Sequence, residues 1–278
     1  MPRLWTSPRL TSWVDADRET VLRFESTGDW LAVVQKRMRR IGMLDADVAL
    51  AMLGDAIETG APQDPAALVV RFASSRKRAS RTMELARACA LVARVADLVR
   101  AHAALEPEAD RDGPLDVLGP FDPALVVETD EGDRLVAPGL VYLAQLHDRG
   151  IRGMRGGHVL AHYRSTYDEI RGKPALPHEV TSLAVLLIEL VSGREPYPTD
   201  NDFAYLTAVT QGAHVPIAPL VPTASRALVR ALEAALVIDA AARPSLQAFR
   251  EVLRAEPGVE TLARAGVPAA ARPWWKVW

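Results

Sequence analysis

Glu179-Val-Thr-Ser-Leu-Ala-Val-Leu-Leu-Ile-Glu-Leu-Val-Ser-Gly193 decides the fold of this chain. Wound as a helix, Val180, Leu183, Val185, Leu186, Leu187, Ile188, Leu190 and Val191 point to every side, with only Thr181, Ser182 and Glu189 interrupting them. A helix without a polar face belongs inside a sizeable protein or inside a membrane. A bilayer span needs roughly twenty apolar residues, and this run is shorter and punctuated. Gly193 suits a left-handed cap and Pro196 prevents continuation. The stretch therefore reads as a buried central helix with a defined stop, and no membrane span is expected.

The rest of the chain must supply what buries that helix. At 278 residues, 49% of them hydrophobic, it is long enough for one large domain or two lobes and too apolar for global disorder. A formal net charge of -2 implies no polyanionic partner, so no nucleic acid is expected. The single Cys89 permits no intramolecular disulfide and fits a reducing, cytoplasmic setting. The first residues carry no long apolar core, so no signal peptide is expected. The bias toward Ala, Arg and Val suggests a bacterial source.

Upstream, Thr20-Val-Leu-Arg-Phe-Glu-Ser26 and Trp30-Leu-Ala-Val-Val-Gln35 are β-branched and aromatic runs separated by Thr27-Gly-Asp29, which predicts a hairpin. Asp45 to Thr59 predicts a helix ended by Gly60, and Ala66 to Phe72 a buried strand. Ser74-Ser-Arg-Lys-Arg-Ala-Ser-Arg81 is a basic run of the kind usually found solvated. Met83 to Ala104 predicts a long helix, with Leu85, Cys89, Val92, Val95, Ala96 and Val99 at helical spacing. Two short apolar strands then flank a turn at Thr129-Asp-Glu-Gly132. Beyond the central helix, Asp202 to Gln211 and a segment capped by Thr223 or Ser225 read as further helices.

The central stretch, continued through Arg194-Glu-Pro-Tyr197, resembles the central large-lobe helix of protein kinases, which usually reads D-V-x-S-L-G-V-x-L-x-E-L-x-x-G-x-x-P-F. Asp239-Ala-Ala-Ala-Arg-Pro-Ser245 resembles the same family's D-P-x-x-R-P-S at about the expected distance. The resemblance implies an α+β, bilobal protein-kinase-like fold. It sets a reduced β-containing small lobe over residues 1–72, a mainly helical large lobe over 73–256 and a Trp-rich tail over 257–278. The predicted order in the first part, two strands, a helix and another strand, is the one expected of such a small lobe.

The resemblance also implies where catalysis should sit, between a loop reading H-R-D-x-x-P-x-N-V-L-V and a D-F-G segment. Aligned on Pro123 and Gly139, Leu118-Gly-Pro120 stands against H-R-D, Leu125 against the asparagine and Ala137-Pro-Gly139 against D-F-G. Proline has neither a carboxylate nor a backbone N–H with which to orient a substrate hydroxyl. Leu125 and Ala137 offer only hydrocarbon where magnesium requires oxygen ligands. The hairpin near the start carries only Gly28 toward a phosphate-covering loop. Lys36, Glu58 and Asp122 are the remaining charged groups near functional places, each more readily a surface or turn residue.

Structural roles survive better in the comparison. Glu179 takes the place of a family aspartate and can accept backbone N–H bonds near Leu118 and Gly119. Asp168 or Glu169 can pair with Arg243, as the family's A-P-E glutamate pairs with the arginine of its R-P motif. His158 and His162 are four apart but lack a third ligand at suitable spacing, so no metal is expected. Trp274, Trp275 and Trp278 either fold back onto the body or contact a partner, since three tryptophans left in water are unfavourable. The expectation is a catalytically inactive, cofactor-free pseudokinase that binds protein partners as a scaffold or regulator. An atypical nucleotide-binding phosphotransferase and a helical adaptor unrelated to kinases stay open as alternatives.

Overall fold

The structure is a computed structural model that describes residues 3–6, 10–14, 19–25, 31, 34–36, 38–39, 44, 48–49, 52–58, 67–74, 76–77, 80, 82–104, 117–142, 166–170, 176–198 and 201–265. It is a mixed α+β protein.

Five strands come from the first part of the chain: β1 (Arg3–Thr6), β2 (Leu10–Val14), β3 (Glu19–Glu25), β4 (Met52–Glu58) and β5 (Ala67–Ser74). They form an antiparallel sheet in the order β1-β2-β3-β5-β4. Leu22 of β3 lies opposite Val70 of β5, and Asp55 of β4 lies opposite the same residue on its other side. Between β3 and β4, strand β5 buries Leu68, Val70 and Phe72. Its Leu-Val-Val run is the continuous apolar pattern of a strand covered on both faces.

Two expectations for this region are corrected. Leu31, Val34, Gln35 and Lys36 are helical where a strand over Trp30–Gln35 was expected, so the hairpin turning at Thr27–Asp29 is not formed. Leu31, Val34 and Met38 are all buried while Lys36 and Arg39 are exposed, which is the three-and-four spacing of a helix packed on one side. Burial along that stripe outweighs the modest strand preference of the valines. Conversely, Met52–Glu58 is a strand where a helix from Asp45 was expected. Gly54 costs a helix about 1 kcal/mol relative to alanine, whereas a strand there pairs with β5 from Ala67 to Phe72. Propensity yields to tertiary pairing in both places.

A second sheet joins β6 (Arg76–Lys77), β7 (Val126–Thr129) and β8 (Gly132–Leu135). The turn at Thr129–Gly132 closes β7 on β8 as the sequence predicts, with Gly132 at φ 112. The basic run thus contributes an edge strand, Arg76 opposite Glu128. Leu135 also donates to the Val48 carbonyl at 2.7 Å, tying this sheet to the segment just before β4.

Helices follow: α1 (Leu85–Ala103), α2 (Tyr167–Ile170), α3 (Leu176–Ser192), α4 (Asp202–Gln211), α5 (Arg226–Ala235), α6 (Leu246–Ala255) and α7 (Val259–Ala265). In α3 every residue from His178 to Leu190 is buried, and α1, α5 and α6 pack against it. Met83 donates to the Leu190 carbonyl at 2.6 Å, fixing the entry of α1 beside the end of α3. Gly193 takes φ 70 and donates to the Glu189 carbonyl, which is the left-handed stop its position predicts. Asn201, Ser225 and Ser245 cap α4, α5 and α6 through their side-chain oxygens, and Gly212 ends α4 at φ 65. One apolar cluster runs from Leu31, Val34 and Phe72 through α1 and α3 to Phe249 and Val259. Among the described residues no helix is long and apolar enough to cross a membrane.

Candidate functional site

The first turn of α3 gathers four chain segments. Glu179 is 2% exposed, and its carboxylate accepts from the backbone N–H groups of Leu118, at 2.5 Å, and Gly119, at 2.9 Å. A carboxylate is suited to this, because two oxygens with several lone pairs serve two parallel N–H donors. Nothing larger than glycine fits at the second of those residues. A Cβ on Gly119 would lie 2.6 Å from both Cβ and Oγ of Ser182, one turn along the buried helix.

Arg243 closes the opposite side. Its Nε donates to the Val237 carbonyl at 2.8 Å, Nη2 to Ile238 O at 3.1 Å and Nη1 to Pro177 O at 3.2 Å. Nη1 also donates to the carboxylate of Asp168 on α2. The guanidinium side chain is 1% exposed and that of Asp168 13%, so the pair lies largely out of water. His178 is fully buried, with Nδ1 2.7 Å from the Thr166 hydroxyl and Nε2 3.4 Å from Ser182 Oγ.

Burial pushes the His178 imidazole down to about 4, and nearby Arg243 acts in the same direction, against the opposing pull of Asp168 and of a backbone hydrogen bond with Gly119. The unfolded chain takes up a proton here near pH 6.5. A histidine that stays neutral in the fold therefore contributes stability that is full above that pH and is lost as pH falls toward 4. Between pH 7 and pH 5 the loss is about 2 kcal/mol. Urea melts at the two pH values, compared with those of His178→Gln, should show a pH dependence smaller by that amount in the variant.

The positions that the kinase resemblance sets against catalytic residues are apolar and buried. Pro120 is buried, Leu125 is 2% and Ala137 1% exposed, and Leu118 and Phe121 beside them are buried as well. The Gly119–Pro120 peptide is cis. Asp122 accepts from Ala124 N at 2.7 Å and so caps the short 3-10 turn Pro123–Leu125 that leads into β7. Its carboxylate is turn chemistry, the simpler of its two expected roles. Val136 N donates to Leu125 O at 2.9 Å, which sets these two apolar positions side by side, and Ala137 holds a left-handed φ of 47.

Lys36 is exposed on a helical residue and Glu58 ends strand β4, the reverse of the strand lysine and helix glutamate that a nucleotide site would pair. Among the described residues no group of three or more His, Cys, Asp or Glu is placed to hold a metal. His158, His162 and the tryptophans Trp274, Trp275 and Trp278 lie outside the described residues. The first part of the 257–278 tail does pack, with Val259 buried and α7 against α1. Burial likewise pushes the Cys89 thiol up to about 12, leaving it an inert packing residue.

Sequence reasoning passed over two features. One is the polar contact of His178 with Thr166 and Ser182; its only signal is a histidine preceding Glu179 at the start of an otherwise apolar helix. The other is Arg87 of α1, which donates from Nε and Nη2 to Asp133 at 2.6 and 2.8 Å and from Nη2 to Glu128 at 3.0 Å. That contact pins the β7-β8 hairpin to α1, and residues so far apart leave no local trace of it.

No family model matches this chain, and no curated protein matches it either. The site therefore has to be read from its own chemistry.

Proposed function

We propose that this chain is a bilobal, protein-kinase-like domain that has no phosphotransfer chemistry and acts by binding other proteins, as a scaffold or regulator. The observation that carries the reading is the pairing of a retained support with an erased site. The Glu179 clasp on Leu118 and Gly119 and the Arg243–Asp168 pair stand where the kinase resemblance expects its two structural fasteners. Pro120 and Leu125, in and just after the loop that Glu179 clasps, and Ala137, just after β8, are all buried where the resemblance would require oxygen ligands and a proton acceptor. Further support comes from the element order: antiparallel strands, helical residues at 31, 34–36 and 38–39, two more strands, then a mainly helical remainder around α3.

Hydrocarbon side chains cannot ligate magnesium, and a buried proline cannot orient a hydroxyl. ATP with magnesium should therefore leave the melting temperature unchanged. A ligand at a hundredfold excess over its Kd would add about 2.7 kcal/mol of stability, so binding would be plain in a thermal-shift assay. A magnesium-dependent rise would overturn the reading in favour of an atypical phosphotransferase.

A further inference from the structure

The helix α5 and the irregular chain before it line an open groove of about 280 Å³. Ala218, Val221, Pro222 and Val229 supply its apolar lining, and Arg226 and Arg230 stand on its rim. The two arginines are four residues apart on one helix, so their side chains lie on the same face one turn from each other. Neither meets a carboxylate among the described residues, in contrast to Arg87, Arg134, Arg243, Arg250 and Arg254, which all do.

The arrangement works against the helix that carries it. Like charges at this spacing weaken a helix. Arg226 also places a cation in the first turn, where the partial positive charge of the helix end favours an anion. The nearest anionic group on that end, Glu256, is already engaged by the Ser225 backbone N–H and hydroxyl. Two unmatched guanidinium groups over an apolar hollow are complementary to a ligand that brings an aliphatic side chain and its own negative charges.

We propose that this groove docks a short acidic peptide segment of a partner protein, with a Leu, Ile or Val side chain in the hollow and flanking Asp or Glu carboxylates on Arg226 and Arg230. As an account of what the domain binds, it rests on the binding-module reading above, although the groove shares no residue with the Glu179 site. Panning a random-peptide library against the full chain tests it. The selected peptides should carry an aliphatic residue between carboxylates, and their binding should weaken as salt rises. Arg226→Glu/Arg230→Glu should reduce that binding about tenfold or more while keeping the wild-type melting temperature or raising it, since glutamate suits the first turn of a helix. Lysine in place of the peptide carboxylates should restore binding to that double variant.

Selected peptides without acidic residues, or undiminished binding by the double variant, would overturn the proposal. So would a dimer seen by sedimentation in the wild type and lost in the double variant, which would give the groove to a second copy of the chain. A failed selection together with no response to ATP and magnesium would remove the groove and leave the catalytic loss standing.

Discussion

Arg243→Ala should lower the stability of the folded chain by about 3–5 kcal/mol, the usual result of removing one member of a buried ion pair. The loss exceeds that of an exposed pair because the arginine is almost wholly enclosed and serves four acceptors at once. Without it the Asp168 carboxylate is stranded, and the carbonyls of Val237, Pro177 and Ile238 lose their donor. Asp168→Asn should cost less, since an amide oxygen still accepts from Nη1 and three backbone carbonyls still hold the guanidinium, although its charge loses its counter-ion. Urea denaturation of both variants checks the order. A loss under about 1 kcal/mol for Arg243→Ala, typical of an exposed pair, would mean that water reaches the pair.

Glu179→Ala comes next, with an expected loss of about 2–6 kcal/mol. Its cause is two buried N–H groups, each of which costs about 1–3 kcal/mol when left without an acceptor. Glu179→Gln should fall between the variant and the wild type. Its single amide oxygen can serve Leu118 or Gly119, while its NH2 group faces the other donor. Equal stability for the alanine variant and the wild type would show that the loop does not depend on the carboxylate.

Both residues were visible in the sequence because they sit beside strong local patterns. An apolar run without a polar face announces α3, and Glu179 lies in its first turn; Arg243 belongs to a short motif at a fixed distance beyond it. Asp168 rather than Glu169 as the partner was not decidable, since adjacent acidic residues on a short helix differ only in direction. The opening third was harder for a physical reason. Leu31, Val34 and Met38 carry helical spacing, but Val33 and Val34 within a six-residue window imitate a strand. Met52–Glu58 becomes a strand only because β5, some ten residues further on, offers its edge. The docking groove left no trace at all: its apolar lining and its arginines are ordinary in composition and become a surface only where the Pro-rich turn meets α5.

The Glu179 clasp makes one loop behave unlike a loop. Leu118 and Gly119 have no ladder or helix around them, yet their amide hydrogens end on a carboxylate carried by the innermost helix. Those two hydrogens meet solvent only when the loop parts from the buried carboxylate, so they should exchange more slowly than loop amides usually do.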